Sequence, residues 1–199
     1  MIPIPRGELA RKAIHIASSV IPLSYLWIFQ DQETMAGILL GFTIFSIFVE
    51  VARMRSVWMS SFFERWLKFM MREDEAVGKI TGATWVFVGA FLTVLLVIPK
   101  KYAILGLIFL SVGDTMAALV GMGFPMVRIG QKTLSGTLAG LAACCIAGKA
   151  LGLDVSDFVI ISGAAVAMIV ELIPLPINDN VSIPLSAGLA MAVIGGSAV

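Results

Sequence analysis

Glu50, Asp114, Glu171 and Asp179 sit inside or at the edge of segments apolar enough to be transmembrane helices. A carboxylate at the centre of a bilayer costs about 2.5–3.5 kcal/mol on insertion scales, so such residues face polar cavities and mark sites of chemistry or transport. Glu171 precedes Pro174, and the run Asn178-Asp179-Asn180 precedes Pro184. Irregular backbone of this kind survives near a membrane only within protein or beside water. Glu171, Asp179 and the Asn carbonyls are hard oxygen donors of the type magnesium takes when it is shared with substrate phosphates. The same residue types also make ordinary turns.

Three further groups fit a phosphate-handling site. Glu8, Arg11 or Lys12, and His15 follow helical spacing and share one face, which suits anion binding and proton transfer; a cytoplasmic anchor of cations with one satisfied histidine has the same pattern. Asp114 is flanked by Gly113, Thr115, Ala117, Ala118 and Gly121, small residues that let helices approach or leave room for a ligand. Gly130-Gln131-Lys132-Thr133-Leu134-Ser135-Gly136-Thr137 is a glycine-bounded loop feeding an apolar segment. Lysine and hydroxyls near free backbone donors at a helix start can cradle phosphate, although the spacing is not that of a P-loop and a plain Ser or Thr N-cap looks similar.

The elements that must position these residues are helices in a bilayer. With 59% hydrophobic and 14% charged residues and a mean hydropathy of +0.98, the 199-residue chain is too apolar for a soluble domain, and one membrane-embedded domain over 1–199 is expected. A net charge of +1 gives no general attraction to nucleic acid, and none is expected as a partner. About seven spans are expected, near Ala13 to Phe29, Met35 to Val49, Ala83 to Ile98, Tyr102 to Gly123, Leu134 to Leu153, Phe158 to Ile173 and Ile183 to Val199. The first is read as a retained helix, because Gln30, Asp31, Gln32 and Glu33 follow it where a cleavage site would need small residues.

With the N-terminus in the cytoplasm, eleven basic residues fall on the inner side and only Lys100, Lys101 and Lys149 on the outer, the arrangement the positive-inside rule prefers. This orientation brings Glu50, Asp114, Glu171, Asp179, Lys132 and the Glu8 to His15 face to the inner side, where they can build one polar cavity. Between the second and third spans, residues 57–72 read as an interfacial amphipathic helix. Trp58, Met59, Phe62, Phe63, Trp66, Leu67, Phe69 and Met70 form its apolar half, and Ser60, Ser61, Glu64, Arg65, Lys68 and Arg72 its polar half. Glu50 and Arg53, three apart, form a supporting pair that either holds the helix end or orients a cation. Cys144 and Cys145 read as small packing residues.

The ordered motifs Arg11-Lys12 with His15, Thr81-Gly82-Ala83-Thr84, Gly113-Asp114-Thr115 with Ala118 and Gly121, Lys132-Thr133 with Gly136-Thr137, and Glu171 with Asn178-Asp179-Asn180 and Pro184 resemble the CTP-dependent lipid kinases. That group includes dolichol kinase, phytol kinase and a diacylglycerol kinase. The resemblance implies a multi-pass enzyme that moves the terminal phosphate of CTP onto a lipid alcohol. It also implies nucleotide and phosphate contacts from Arg11, Lys12, Thr81, Gly82, Thr84, Lys132, Thr133, Gly136, Asn178 and Asn180. Magnesium would be held by Asp114 and Asp179 with Glu171 nearby, and Asp114 or His15 would take the hydroxyl proton. Ser135 stands where such kinases usually carry an acid, and the chain corresponds to a catalytic core without the extra spans of large dolichol kinases. Two rival readings share the intramembrane carboxylates: a cytidylyltransferase, which uses CTP and magnesium as well, and a transporter.

Overall fold

The computed structural model describes residues 4–71, 75 and 79–196, and among these the regular elements are helices apart from one two-residue β-ladder. The helices are α1 (Arg6–Ala17), α2 (Val20–Trp27), α3 (Gln32–Arg55), α4 (Val57–Trp66), α5 (Gly82–Leu96), α6 (Lys100–Gly123), α7 (Leu134–Ala150), α8 (Asp157–Leu172) and α9 (Asp179–Ile194). The expected all-α architecture is present. Two of these helices, α3 and α6 with 24 residues each, are long and apolar enough to cross a membrane; α5, α7 and α9 are shorter apolar helices.

The expected first span is instead two helices with a tight turn at Ser18 and Ser19. Pro22 explains the break. It has no N–H to offer the Ser18 carbonyl four residues back, and its ring crowds that carbonyl. Conversely, the last helix begins four residues before the expected Ile183 and carries Pro184 inside it. Asn178 caps it, its side chain accepting from the Asn180 amide at 3.0 Å, so Asp179 lies in the first helical turn, where the helix dipole favours a carboxylate. The second span also runs past Val49, so that Glu50 and Arg53 are helical.

α6 forms the centre. Its residues Tyr102 to Leu110 are buried, and α9 packs along it and along α5 and α8. Midway, Phe109–Asp114 widens into a π-helical turn that ends at Asp114. Such turns are rare and recur at functional sites. α7 crosses the second half of α6 so closely that a Cβ on Gly136 would lie 2.3 Å from the Ala117 carbonyl oxygen. The ladder pairs Arg128 with Thr133 and Ile129 with Lys132, and Gly130 makes its turn with φ +60. This hairpin delivers Lys132 to the bundle.

Pro184 leaves the Asn180 carbonyl without its helical donor, and α5 packs against that carbonyl through Gly89. A Cβ on Gly89 would lie 1.9 Å from the oxygen and 2.8 Å from the carbon, and backbone cannot yield as a side chain can. Gly89→Ala is therefore expected to destabilise the protein by about 1–3 kcal/mol. Thermal unfolding in detergent checks this, and an unchanged melting temperature would refute the close approach.

Candidate functional site

A cavity of about 470 Å³ lies between α1 and α2 on one side and the first half of α5 on the other. Its polar lining includes Glu8, Arg11, Lys12, His15, Glu75, Asp114, Asn178, Asp179 and Asn180. Its apolar lining includes Ile14, Val20, Ile21, Phe63, Leu67, Met70, Val86 and Phe87. The cations of α1 and the carboxylates of α6 and α9, about one hundred residues or more apart in sequence, thus meet in one place.

Asp114 is 8% exposed and paired with α1. Lys12 Nζ donates to its Oδ2 at 2.5 Å, and His15 Nε2 stands 3.2 Å from the same oxygen. Helical spacing on α1 puts Lys12 and His15 on one face, as their three-residue separation requires. Arg11 turns to Glu8, which it bonds as an ion pair. This cluster combines a carboxylate, a cation and an imidazole, and the carboxylate and imidazole are groups that can take or give a proton.

Lys132 forms a second cluster. Its Nζ lies 2.6 Å from Glu171 Oε1 and 3.3 Å from Asp179 Oδ2. Burial works against the ammonium charge, but Glu171 and Asp179, with Asp114 beyond them, outweigh it and hold its pKa above the ordinary lysine value. Lys132 therefore stays charged throughout the physiological range. The expected single set of Asp114, Asp179 and Glu171 around one ion is not present: among the described residues no three His, Cys, Asp or Glu side chains form a metal-holding group. Two lysines stand between the acids instead, neutralising carboxylates where phosphates were expected. The donors still fit magnesium in kind. All are hard oxygens, and Glu171 Oε2 is buried with no hydrogen-bond partner among the described residues, an acceptor in want of a cation or donor.

Other expected site residues have structural tasks. Thr133 caps α7, its hydroxyl accepting from the Gly136 amide at 3.2 Å, and Gly136 serves the crossing with Ala117. The loop 130–137 is thus a hairpin and a capped helix start, and neither Thr133 nor Gly136 lines the cavity. Thr81 and Gly82 do line it, but the Thr81 hydroxyl donates to Glu50 Oε1 at 2.5 Å, and Thr84, buried, donates to the same oxygen at 3.2 Å. Glu50 Oε2 accepts from Arg53 Nε at 3.0 Å and Nη2 at 2.7 Å. Arg53 also donates to the carbonyls of Glu75 at 2.8 Å and Lys79 at 2.7 Å, and its guanidinium lies 5.6 Å over the Phe63 ring. Glu50 and Arg53 hold the start of α5 and the residues before it against α3, the structural of their two expected tasks.

Sequence reading missed Glu75. It is 8% exposed, lines the cavity and accepts from the Gly82 amide at 2.8 Å. It stands among charged residues in a connecting segment, and no local pattern separates it from a solvated acid.

The amphipathic segment is present as α4 and a 3₁₀ turn at Lys68–Met70; Arg72 lies outside the described residues. Its apolar half divides in two. Trp58, Trp66 and Phe69 are 73%, 62% and 64% exposed, whereas Phe63, Leu67 and Met70 turn to the cavity.

The chain is 28% identical over 194 residues to an uncharacterized protein of Rickettsia prowazekii (strain Madrid E), an alignment that covers 94% of each. No family model and no solved structure matches.

Proposed function

We propose that the protein is a membrane-embedded kinase that transfers the terminal phosphate of CTP to the hydroxyl of a lipid alcohol, most simply an isoprenoid alcohol, as the CTP-dependent lipid kinases it resembles do. One observation carries the reading: a single cavity is lined both by cations and carboxylates and by aliphatic and aromatic side chains. A phosphorylated head and a hydrocarbon chain need these two environments side by side. The proposed topology is a polytopic helix bundle of about seven spans, with the N-terminus and the cavity's polar residues on the cytoplasmic side and α4 in the membrane interface.

In this reading Arg11 and Lys12 neutralise phosphate oxygens from α1, and Lys132 moves from carboxylates to phosphate when nucleotide arrives. Asp114, Asp179 and Glu171, which form no ion-holding group among the described residues as they stand, would hold magnesium only once Lys12 and Lys132 leave them for phosphate; the ion would supply charge neutralisation of the nucleotide phosphates. Asp114 or His15, 3.2 Å apart, takes the hydroxyl proton as the alcohol oxygen bonds to the terminal phosphorus. The bond from that phosphorus to the bridging oxygen breaks, and CDP leaves with the electron pair. A transporter would use intramembrane carboxylates too, and Asp114 lies midway along α6; dependence on CTP separates the two readings.

Incubation of the purified protein with gamma-labelled CTP, magnesium and polyprenol, phytol, geranylgeraniol or diacylglycerol is expected to place label in one lipid, and chelation of the metal to remove the signal. Diphosphate released on adding a phosphorylated lipid, with no label in any alcohol, would replace the kinase by a cytidylyltransferase.

A further inference from the structure

The cavity is not closed along its apolar lining. Ile14 and Val20 line it and yet are 52% and 65% exposed, so they stand at a mouth of the cavity. The opposite jamb is Phe87 of α5, which lines the cavity and stacks on Phe42 of α3, their ring centroids 5.4 Å apart and their planes 11° from parallel. Phe42 is itself half exposed, and α3 continues the apolar surface away from the mouth through exposed Phe45 and Phe48. Phe63 and Leu67 of the α4 segment form the roof. The roof is set on α1 without slack, because a Cβ on Gly7 would lie 2.1 Å from the Phe69 carbonyl oxygen.

An opening to water would have a polar rim. Partly exposed Glu8 and Arg11 also line the cavity, but the stretch at Ile14, Val20 and Phe87 carries aliphatic and aromatic side chains, and the α4 segment above carries exposed tryptophans, residues enriched where a protein meets the headgroup region. The same space is lined by Asp114 with Lys12 and His15. The volume decides how much of a lipid fits. About 470 Å³ lies low in the range of roughly 300–1,000 Å³ seen for sites of drug-sized ligands. Phosphate groups beside the polar residues take part of it, so only a head and the start of one chain can enter.

We propose that the gap framed by Ile14, Val20 and Phe87 is a lateral portal, through which the acceptor presents its hydroxyl from the bilayer while the rest of its single chain stays in the membrane. This deepens the kinase reading and rests on it for the identity of the head group. Two consequences distinguish a portal from an enclosed tail pocket. The protein does not measure chain length beyond the portal, and narrowing the mouth hinders lipid entry without touching nucleotide.

The experiment uses the full chain in phosphatidylcholine vesicles with gamma-labelled CTP and geraniol, geranylgeraniol or a long polyprenol. Geranylgeraniol and the polyprenol are expected to react at rates within about threefold of each other. The double variant Ile14→Trp, Val20→Trp is expected to raise the acceptor KM about tenfold while the KM for CTP holds. A steep fall of rate with chain length, or an unaltered acceptor KM, overturns the portal while leaving the kinase intact. A second measurement needs no turnover. A prenyl alcohol carrying a diazirine along its chain is photolysed in the same vesicles, and adducts are mapped by mass spectrometry. Adducts concentrated at Ile14, Val20 and Phe87 support the portal even if wild type transfers no label, which would sink the kinase alone. Adducts spread evenly along the outer face of α3 overturn the portal.

Discussion

Asp114→Asn is expected to lower label transfer from CTP by about 10²–10⁴-fold, the range associated with loss of a positioned proton acceptor. The change keeps the shape of the side chain and removes its charge. It therefore keeps the packing of α6 against α7 and α8, while Lys12 and His15 lose the anion that organises them. The variant should elute from size exclusion as wild type does and keep its helical signal. Full activity would remove Asp114 from the chemistry and with it the proposed scheme. A loss confined to KM for CTP, with kcat intact, would reassign the residue to nucleotide binding.

The largest effect on stability is expected at Arg53, which is 6% exposed and makes four hydrogen bonds to Glu50, Glu75 and Lys79. Arg53→Met leaves the Glu50 carboxylate, 4% exposed, without its cation. Breaking a buried pair in this way costs about 3–5 kcal/mol. The double variant Glu50→Gln, Arg53→Met is expected to recover part of that loss, because no buried charge is then uncompensated. Thermal melts of the wild type, single and double variants check both statements. A single variant that melts as wild type does but no longer transfers phosphate would return Arg53 to the site.

The sequence made the gathering of charge legible, because carboxylates in apolar segments have few tolerable surroundings. Asp114, Lys12 and His15 do meet, and Asp179, Asn178 and Asn180 share their cavity. Which group neutralises which was not legible. Lys132 and Lys12 sit within bonding distance of acids expected to face a metal ion, a preference decided by three-dimensional distance and not by spacing along the chain. Motif hydroxyls misled for a related reason: Thr81, Thr84 and Thr133 satisfy helix starts and a buried carboxylate, tasks for which the same residue types are favoured. The break between α1 and α2 was readable from Pro22 by the rule that proline withholds a helical donor, but the hydropathy of the segment masks it. The two-sided apolar surface of α4 could not be read from its periodicity, since an exposed apolar face and a cavity wall are built from the same side chains.

The π-helical turn at Phe109–Asp114 inserts one extra residue into the winding of α6. A residue advances a regular helix by about 100°, so the two halves of α6 are rotated relative to the phase that unbroken winding would give them. Before the turn, Tyr102 to Leu110 are set by the hydrophobic interior; beyond it, Ala117 and Gly121 are set by contact with the start of α7. Asp114 stands at the seam. Its direction is thus fixed by two independent packing surfaces, and the chain can change the composition of either half while the carboxylate keeps its aim, but it cannot lose a residue between them.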